Sequence, residues 1–433
     1  MRNVKAAVCV NCGEKYEAGA GTYTCAKCGG VLEIEYDYDY IKDQLNKENF
    51  INKKEFSMWR YREFLPIGDA RQGPLRAGWS PLYKTDALGS KLGLKNLYVK
   101  DDGINPTSSL KDRASAIAAA RALHEGKDTV ACSSTGNAAS SLAGAAASMG
   151  LKSVIFVPER APQGKITQLL IFGAAVVSVK GDYEAAFRLS VQAIEQYGWY
   201  NRNAAINPYL SEGKKTVSME IAEQLGNGGF ASPDFVAVSV GDGCTIAGVW
   251  KGFKDLYAVG LIGSLPRLIS VQAEGCCPVN RAIQHGAMQH GTERGTSIIE
   301  RMEENTIADS IAVGVPRNGI KAIRAIQESN GITVNVSDGE ILAAMRLLGT
   351  AGIFGEPAGA AGTAGLAKAS AQGLIPPDAL VVSLVTGNGL KDVASAQKAA
   401  GIGGGANGIA ENLIHIKPDM DVLAKEFAQR GIS

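Results

Sequence analysis

The sequence predicts an α/β protein with two open, mostly parallel β-sheets, preceded by a small cysteine-rich segment. Short apolar runs alternate with alanine-rich helical patterns from residue 130 to residue 197. The runs recur every ~22–24 residues, which is the rhythm of parallel strand–helix–strand units. A second set of apolar runs lies before and after the first set in the chain. Two Cys-x-x-Cys pairs stand apart from both sets, near the start of the chain.

Length and composition narrow the class of protein further. A chain of 433 residues is too long for one ordinary core, so several domains are expected. The net charge is +1, and no basic stretch is interleaved with aromatic residues, so nucleic acid is not an expected partner. No apolar run reaches the ~18 residues of a membrane span, and the first ten residues contain no apolar leader, so we expect neither a membrane span nor a signal peptide.

The cysteines indicate both a compartment and a metal. Cys9, Cys12, Cys25 and Cys28 form two Cys-x-x-Cys pairs, each followed by glycine, and the short arm between the pairs, which ends in Thr-Tyr-Thr at 22–24, suggests a strand. Two such turns place four thiolates around one point, which favours a structural zinc ion because no coordination position stays open. A metal-free ribbon and a redox pair are the alternatives. Four paired cysteines among eight fit a reducing cytoplasm better than a disulfide scaffold.

The apolar runs divide the chain into segments. The first sheet is expected from strands at 130–133, 154–157 and 175–180, and the second from strands at 97–100, 235–240, 268–271 and 380–385. We expect the domains to be a zinc-ribbon-like segment at 1–35, a connecting arm at 36–75, a large domain at 76–112 and 206–400, a small α/β domain at 113–205, and a linker with a last helix at 401–433. In such folds ligands bind beyond the carboxyl ends of the strands.

Lys111 is the main candidate for chemistry. It follows the turn Asn105-Pro and two serines and opens an alanine-rich helix. The helix dipole and any nearby cation disfavour an ammonium group at this position, and a lysine of lowered pKa forms an imine with an aldehyde. An isolated Ser-x-Lys would more often be a solvated lysine beside a helix cap, so the assignment depends on three other loops.

Each of these loops follows a predicted strand. Residues 133–137, Ser-Ser-Thr-Gly-Asn, open a helix and suit a carboxylate. Residues 241–245, Gly-Asp-Gly-Cys-Thr, open another helix and suit a phosphate, although a lone Gly-x-Gly is weak evidence by itself. Thr386 places a neutral hydroxyl at the end of a strand. As the partner of the pyridine nitrogen of a cofactor ring, this hydroxyl would leave the nitrogen largely unprotonated and so favour elimination over transamination. Each loop could equally be an ordinary turn if taken alone.

Together, the four motifs resemble the fold-type II pyridoxal 5′-phosphate (PLP) enzymes, which share a tryptophan synthase β-like architecture, and among these the threonine synthase family. The likeness spans residues ~75–395, and the order of the motifs is more specific than any one of them. It implies a PLP cofactor, a small amino-acid substrate and a homodimer. Residues 207–209, 213–216 and 356–359 also resemble segments near the active site of that family.

The resemblance assigns roles position by position. It implies that Lys111 is the Schiff-base lysine and proton carrier. Binding of the substrate carboxylate is implied for Ser134, Thr135 and Gly136. Binding of the cofactor is implied for Asn137 at the ring 3′-oxygen, for Gly241, Asp242, Gly243, Cys244 and Thr245 at the phosphate, and for Thr386 at the ring nitrogen.

One segment departs from the family pattern. The usual Asn-Ser-x-Asn-Pro-Tyr-Arg is here Ala204-Ala205-Ile-Asn-Pro-Tyr-Leu210, so polar and cationic partners of a substrate phosphate are absent. Asp242 adds a negative charge near the expected phosphate position. Replacement charge would have to come from other cations, for which the candidates are Arg113, Arg202, Lys214 and Lys215.

These departures keep more than one function open. The first is threonine synthase, which converts O-phosphohomoserine and water to threonine and phosphate. The second is a related β-elimination or β-replacement enzyme, such as a threonine or serine dehydratase or a cysteate synthase-like enzyme, which the alanines and Leu210 favour. A non-catalytic binding protein on the same scaffold is the third, and the presence of Lys111 and Thr386 argues against it.

Overall fold

The predicted fold class is confirmed. The computed structural model describes residues 1–19, 21–45, 52–161, 163–204, 206–286, 299–402 and 413–432. Three sheets are present in this part of the chain: a three-stranded ribbon, a six-stranded sheet and a four-stranded sheet. The domain boundaries given above stay a prediction.

The strands are β1 (Val4–Cys9), β2 (Lys15–Tyr16), β3 (Leu32–Tyr36), β4 (Leu82–Lys84), β5 (Asn96–Asp101), β6 (Thr129–Ser133), β7 (Lys152–Pro158), β8 (Ala175–Val179), β9 (Tyr200–Asn201), β10 (Phe235–Ser239), β11 (Arg267–Ala273), β12 (Ile332–Val336) and β13 (Leu380–Val385).

The helices are α1 (Tyr38–Gln44), α2 (Asp86–Leu92), α3 (Lys111–His124), α4 (Asn137–Met149), α5 (Gln163–Ile171), α6 (Tyr183–Tyr197), α7 (Tyr209–Lys214), α8 (Thr216–Leu225), α9 (Cys244–Ala258), α10 (Pro278–Gln284), α11 (Gly319–Glu328), α12 (Asp338–Gly349), α13 (Pro357–Ala371), α14 (Val393–Ala400) and α15 (Met420–Gln429). Short 3₁₀ turns lie at Met58–Phe64, Asp102–Ile104, Asp309–Ile311 and Gly389–Asp392.

The large sheet has the order β12-β11-β10-β13-β5-β4, and only β4 runs antiparallel to its neighbour. β10 is buried along its whole length and β13 is buried from its second residue. Burial on both faces explains why these strands are continuous apolar runs in the sequence. Since β5, β13 and β10 are parallel neighbours, the loops that follow them meet at one edge.

The small sheet has the order β8-β7-β6-β9 and is entirely parallel. β6 is fully buried, and α4, which follows it, packs its alanines against α3. The small side chains let the two helices approach closely. The carboxyl end of β6 therefore lies beside the start of α3.

The ribbon is tied to the body of the protein by polar contacts. Tyr36, at the end of β3, donates to Glu212 at 2.7 Å, and Tyr209 donates to the carbonyl of Gly19 at 3.1 Å. The arm between the cysteine pairs forms the expected strand in part: its start is β2 (Lys15–Tyr16), whereas at its end only Thr24 pairs, in an isolated bridge with Val31. In the ribbon sheet, β1 lies between β2 and β3.

The chain ends in α15, which has no buried residue. The glycine-rich segment expected to be a linker, residues 401–408, lies mostly outside the described residues. Among the helices that the structure describes, none combines the length and apolar character needed to cross a membrane.

Candidate active site

Lys111 is the first residue of α3, as expected, and lies beside the end of β13. The N–H of Leu110 donates to the carbonyl of Thr386 at 2.9 Å, and Ser109 pairs with Gly387 in a β-bridge. These backbone contacts join the start of α3 to the loop after β13. Two of the four motifs are thereby brought together by main-chain hydrogen bonds.

The pKa of Lys111 is lowered to about 8. Burial is the largest cause, and the positive charges of Lys214 and Arg202 lower the pKa further, while the carboxylate of Glu356 opposes them. The expected cause, a neighbouring cation at a helix N-terminus, is therefore secondary to desolvation. A lysine with this pKa has a substantial neutral fraction near neutral pH, which is the nucleophilic form of the amine.

The carboxylate loop, residues 133–137, follows β6 and opens α4. Ser134 Oγ accepts the N–H of Gly136 at 3.2 Å, and the Asn137 side chain donates to Glu356 Oε1 at 2.7 Å. Glu356 is buried, and its burial raises its pKa to about 7 even though Lys111 and Asn137 act in the opposite direction. Asn137 thus links the carboxylate loop to the start of α13.

A cleft with about 440 Å³ of empty space opens in front of this loop. The residues that line the cleft are Thr135, Gly136, Asn137, Ser140, Lys165, Gln168, Ile307, Asp309, Ser310, Glu356, Pro357, Ala358, Lys391 and Asp392.

Gly387 explains why the loop after β13 can approach so closely. A Cβ atom at this position would lie 2.1 Å from Glu356 Oε1 and 3.3 Å from Asn137 Nδ2. Glycine is required because the backbone passes directly over these two side chains. Thr386, one residue earlier, is buried beside them.

The glycine loop, residues 241–245, leads from β10 into α9. Gly243 has a φ of +92° and caps α9, and a Cβ there would lie 2.6 Å from the carbonyl oxygen of Asn318. A Cβ at Gly241 would lie 2.8 Å from Ile311 Cα. The loop is thus a tight backbone turn at the N-terminus of a 15-residue helix, whose first N–H groups are available to an anion.

Asp242 does not act as a free negative charge in this loop. Its carboxylate accepts the N–H of Arg317 at 2.8 Å and the side chain of Asn318 at 2.6 Å. Asn318 also donates to the carbonyl of Ala204 at 3.1 Å. The expectation that Asp242 would repel a substrate phosphate is therefore not supported, because its charge is used to hold the segment before α11.

The four candidate cations have different surroundings. Arg113 forms ion pairs with Asp102 and Glu220, and Lys215 forms ion pairs with Glu212 and Asp255, so both are neutralised within the protein. Arg202 and Lys214 are also buried. Among the described residues, no carboxylate lies within 4.0 Å of the charged nitrogens of either one.

Two of the residues that depart from the family segment are described by the structure, and neither has a polar side chain to offer an anion. Leu210 is fully buried in the apolar core beside the small sheet. Ala204 contributes only its carbonyl to the contact with Asn318. Ala205 lies outside the described residues.

Several residues near the cleft carried no signal in the sequence. Ser140, Lys165, Gln168 and Asp309 belong to no motif, and they reach the cleft only because α4, α5 and the 307–311 segment fold against one another. Lys165 and Asp309 form an ion pair across it. Lys391, five residues after Thr386, also lines the cleft, and it donates to Gln168 at 2.9 Å.

The four ribbon cysteines form a second candidate centre. Their Sγ atoms all lie within 4.8 Å of one another, and the closest pairs are 3.5–3.6 Å apart. Four sulfurs at 2.3 Å from a central zinc ion would be about 3.8 Å apart. The N–H of Asn11 points at Cys9 Sγ and the hydroxyl of Tyr16 at Cys25 Sγ, so the sulfurs have polar partners suited to thiolates.

The donor set of the main site fits one kind of cofactor. A buried amine of lowered pKa, a glycine loop with no room for a Cβ, and a polar cleft in front of the carboxylate loop suit an aldehyde that carries a phosphate group. Fold and site together define a PLP-dependent enzyme. The family described as "Pyridoxal-phosphate dependent enzyme" matches residues 74–387.

Relatives with curated functions narrow the family. The chain is 39% identical to the threonine synthase of Methanocaldococcus jannaschii over 96% of its own length and 98% of that protein. It is 40% identical to the threonine synthase of Methanosarcina acetivorans over 89% of its own length and 91% of that protein. The chain belongs to the threonine synthase family of PLP-dependent enzymes, and the dehydratase alternative is not favoured.

Solved structures agree on the fold. Diaminopropionate ammonia lyase from Escherichia coli superposes with a TM-score of 0.64 at 22% identity, over 83% of this chain and 95% of that one. Threonine deaminase isoform 2 from Solanum lycopersicum gives a TM-score of 0.60 at 22% identity, over 85% and 94%.

Proposed function

We propose that the protein converts O-phosphohomoserine and water to threonine and inorganic phosphate. The observation that carries this proposal is the near-full-length likeness to curated threonine synthases. In the net reaction the bond from Cγ to the phosphate oxygen breaks and water adds its oxygen at Cβ. Bound PLP supplies the electron sink that acidifies the substrate C–H bonds and lets the phosphate leave.

In this proposal each motif has one task. Lys111 holds the cofactor and then carries protons at Nζ. Ser134, Thr135 and Gly136 bind the substrate carboxylate, and Asn137 binds the ring 3′-oxygen. The cofactor phosphate is held by Gly241, Asp242, Gly243, Cys244 and Thr245, and the ring nitrogen by Thr386. Asp242 would contribute through its backbone, since its side chain is engaged with residues 317 and 318.

The environment of Lys111 suits proton transfer. Its pKa of about 8 lies close to that of Glu356, which is about 7, and charge–charge interaction between the two groups shifts both values. A proton carrier works best when its pKa is near the working pH. Glu356 would keep the pKa of Lys111 from falling further and would hold Asn137 in position.

Substrate comparison tests the function. The purified holoenzyme is incubated separately with O-phosphohomoserine, O-phosphoserine, threonine and serine, and phosphate, threonine and 2-oxo acids are measured. We expect threonine and phosphate in equal amounts from O-phosphohomoserine only. Release of 2-oxo acid from threonine or serine, with no threonine formed from O-phosphohomoserine, would establish a dehydratase instead. Lys111→Ala should abolish turnover and the visible absorbance of the bound cofactor.

For the ribbon we propose a structural zinc ion held by Cys9, Cys12, Cys25 and Cys28. The sulfur spacing and the lack of an open coordination position support this role. Elemental analysis should find about one zinc per chain. Cys12→Ser should lower that content, whereas Cys132→Ser, a change at a buried thiol of the small sheet, should not. A metal-free wild-type protein of full activity would contradict the proposal.

We further propose that the protein is a cytoplasmic homodimer. None of the eight cysteines, all of which the structure describes, forms a disulfide, which suits a reducing compartment. The dimer is what the resemblance to the family implies. Light scattering should give twice the chain mass of 45.3 kDa, and a stable monomer would reject the dimer.

A further inference from the structure

Two buried cations at the candidate site, Arg202 and Lys214, have no carboxylate partner among the residues that the structure describes. The positive charges of both Arg202 and Lys214 act on Lys111, so both lie close to the reacting centre. Arg113 and Lys215, which lie near them in the fold, are each balanced by two carboxylates. The site therefore contains two positive charges that the described part of the protein does not neutralise.

Arg202 is held at the boundary between the two sheets. Its backbone N–H donates to Ala131 in β6 at 2.9 Å, and its Nε donates to Ser115 Oγ in α3 at 3.1 Å. Its side chain is 1% exposed, and its Nη2 has no hydrogen-bond partner among the described residues. A buried guanidinium nitrogen without an acceptor is costly, so its position points to an acceptor supplied by a ligand.

Lys214 approaches the same region from the other side. It is the last residue of α7, and a Cβ at Gly248 would lie 3.2 Å from its Cβ, so α7 and α9 are in close contact there. Its ammonium group interacts with the thiol of Cys244, the first residue of α9. Cys244 is also within 3.1 Å of Ser211. Lys214 thus lies near the glycine loop, and Arg202 lies near the carboxylate loop.

The usual arginine of the family segment is missing here, because Leu210 occupies its position and is buried in the apolar core. We propose that Arg202 and Lys214 together bind the phosphate group of the substrate in place of that arginine. This inference rests on the proposed function. Two monovalent cations match the charge of a phosphate dianion, and charge-assisted hydrogen bonds from a guanidinium suit its oxygens.

Kinetics on the holoenzyme test the assignment. Arg202→Met and Lys214→Met keep the apolar bulk of the side chain but remove its charge. Arg202→Lys keeps a positive charge at the first position. Lys254→Met, on the exposed side of α9, is the matched control. We expect each loss of charge to raise the KM for O-phosphohomoserine about tenfold to a hundredfold. The inhibition constant of inorganic phosphate should rise in parallel, with partial recovery in Arg202→Lys and no change in Lys254→Met.

Stability provides a second readout. If Arg202 stabilises the fold, Arg202→Met should melt at a lower temperature than the wild type. If Arg202 is an unpaired buried cation that binds a ligand, the variant without ligand should melt at the same or a higher temperature. Saturating phosphate should stabilise the wild type more than this variant. A clear loss of stability in Arg202→Met, with unchanged phosphate inhibition, would overturn the inference.

Two further arms identify the anion. Norvaline, an amino acid without phosphate, should inhibit wild type and variants equally; weaker inhibition of Arg202→Met would assign Arg202 to the carboxylate and overturn the proposal. The variants should also release PLP no faster than the wild type does. If a variant loses PLP and regains the wild-type KM when PLP is added back, the cations bind the cofactor phosphate and the proposal is overturned. If the wild-type protein makes no threonine, the proposed function fails. If the wild type is active and the Arg202 and Lys214 variants have the same KM and the same phosphate inhibition, only the assignment of these two cations is rejected.

Discussion

Lys111 shares its surroundings with a cation and a carboxylate that shift its pKa in opposite directions. Lys214 lowers the pKa and Glu356 raises it, while burial makes the largest contribution by lowering it. The value of about 8, against 10.5 for an ordinary lysine, means that half of the amine is neutral at mildly alkaline pH. The reactivity of one side chain is thus set by three different elements of the fold.

The pH dependence of cofactor capture should report this value. Only the neutral amine attacks an aldehyde, so the rate at which apoprotein captures PLP should rise with pH and have its midpoint near 8. Lys214→Met should move the midpoint upward, and Glu356→Gln should move it downward. Stopped-flow absorbance measures the rate. Lys254→Met should behave as wild type, and a midpoint near 10 in wild type would refute the assignment.

At the scale of elements, the start of α9 depends on a backbone shape that only glycine allows. Gly243→Ala places a methyl group 2.6 Å from the Asn318 carbonyl as well as forcing a positive φ. Gly260 has a similar φ of +76° but open space around it, so Gly260→Ala isolates the backbone cost of about 1–2 kcal/mol. We expect a larger loss of unfolding free energy in Gly243→Ala, and weaker PLP binding in that variant alone. Denaturant titration and equilibrium dialysis measure the two effects, and equal losses would contradict the steric account.

The start of α3 depends on a buried group of charges. Glu220 in α8 forms ion pairs with Arg113, two residues after Lys111, and with Lys100 in β5, all without solvent exposure. Burial alone would raise the pKa of Glu220, but Arg113 and Lys100 together lower it to about 2. The carboxylate therefore stays charged near neutral pH, and acid would remove its contribution to stability progressively between its ordinary pKa of 4.5 and about 2.

Removing this carboxylate should be severe. Glu220→Ala leaves two buried cations short of an anion, so we expect a loss of about 3–5 kcal/mol in the free energy of unfolding. Glu184→Ala, at an exposed ion pair, should change it by less than about 0.5 kcal/mol. Chemical denaturation measures the free energy of unfolding of both variants. Similar losses of this free energy in the two variants would show that the buried ion pairs of Glu220 contribute little to stability.

Sequence reasoning succeeded for elements whose pattern is local. β6, β7, β10 and β13 are buried apolar runs, and the apolar runs alone predicted them. β4 and β9 have only three and two residues, so pairing with their neighbours, which is a tertiary effect, defines them. The strand expected in the arm between the cysteine pairs is confirmed only in part for the same reason: pairing with β1 selects Lys15–Tyr16 at the start of the arm, and the end of the arm contributes only an isolated bridge.

At the scale of the whole molecule, the site could be predicted only in part. The four motifs carry their own turn chemistry, so Lys111 and the loops after three strands could be named from the sequence. The sequence could not show which cations already have an ion-pair partner, because the partners of Arg113 and Lys215 lie up to 107 residues away in the chain. The same holds for Lys165 and Asp309, which meet across the cleft from distant segments.

Loss of metal from the ribbon should be felt at the catalytic centre. The ribbon contacts α7 through Tyr36 and through the carbonyl of Gly19, and α7 carries Lys214. We expect Cys12→Ser to lower the melting temperature and to raise the KM for O-phosphohomoserine more than it lowers kcat. Lys27→Ala, at an exposed ribbon ion pair, is the control. A variant that loses zinc but keeps the wild-type KM would show that the ribbon acts independently.

Helix α7 has only six residues, and both of its sides are occupied. Glu212 and Tyr209 face the ribbon, while Ser211 and Lys214 face the start of α9. In directed evolution, libraries for new substrates are usually confined to residues that line the pocket. Here the ribbon positions next to α7 belong in such a library. A change at these positions can shift α7, and with it Lys214, and so alter substrate specificity without changing a residue that lines the pocket.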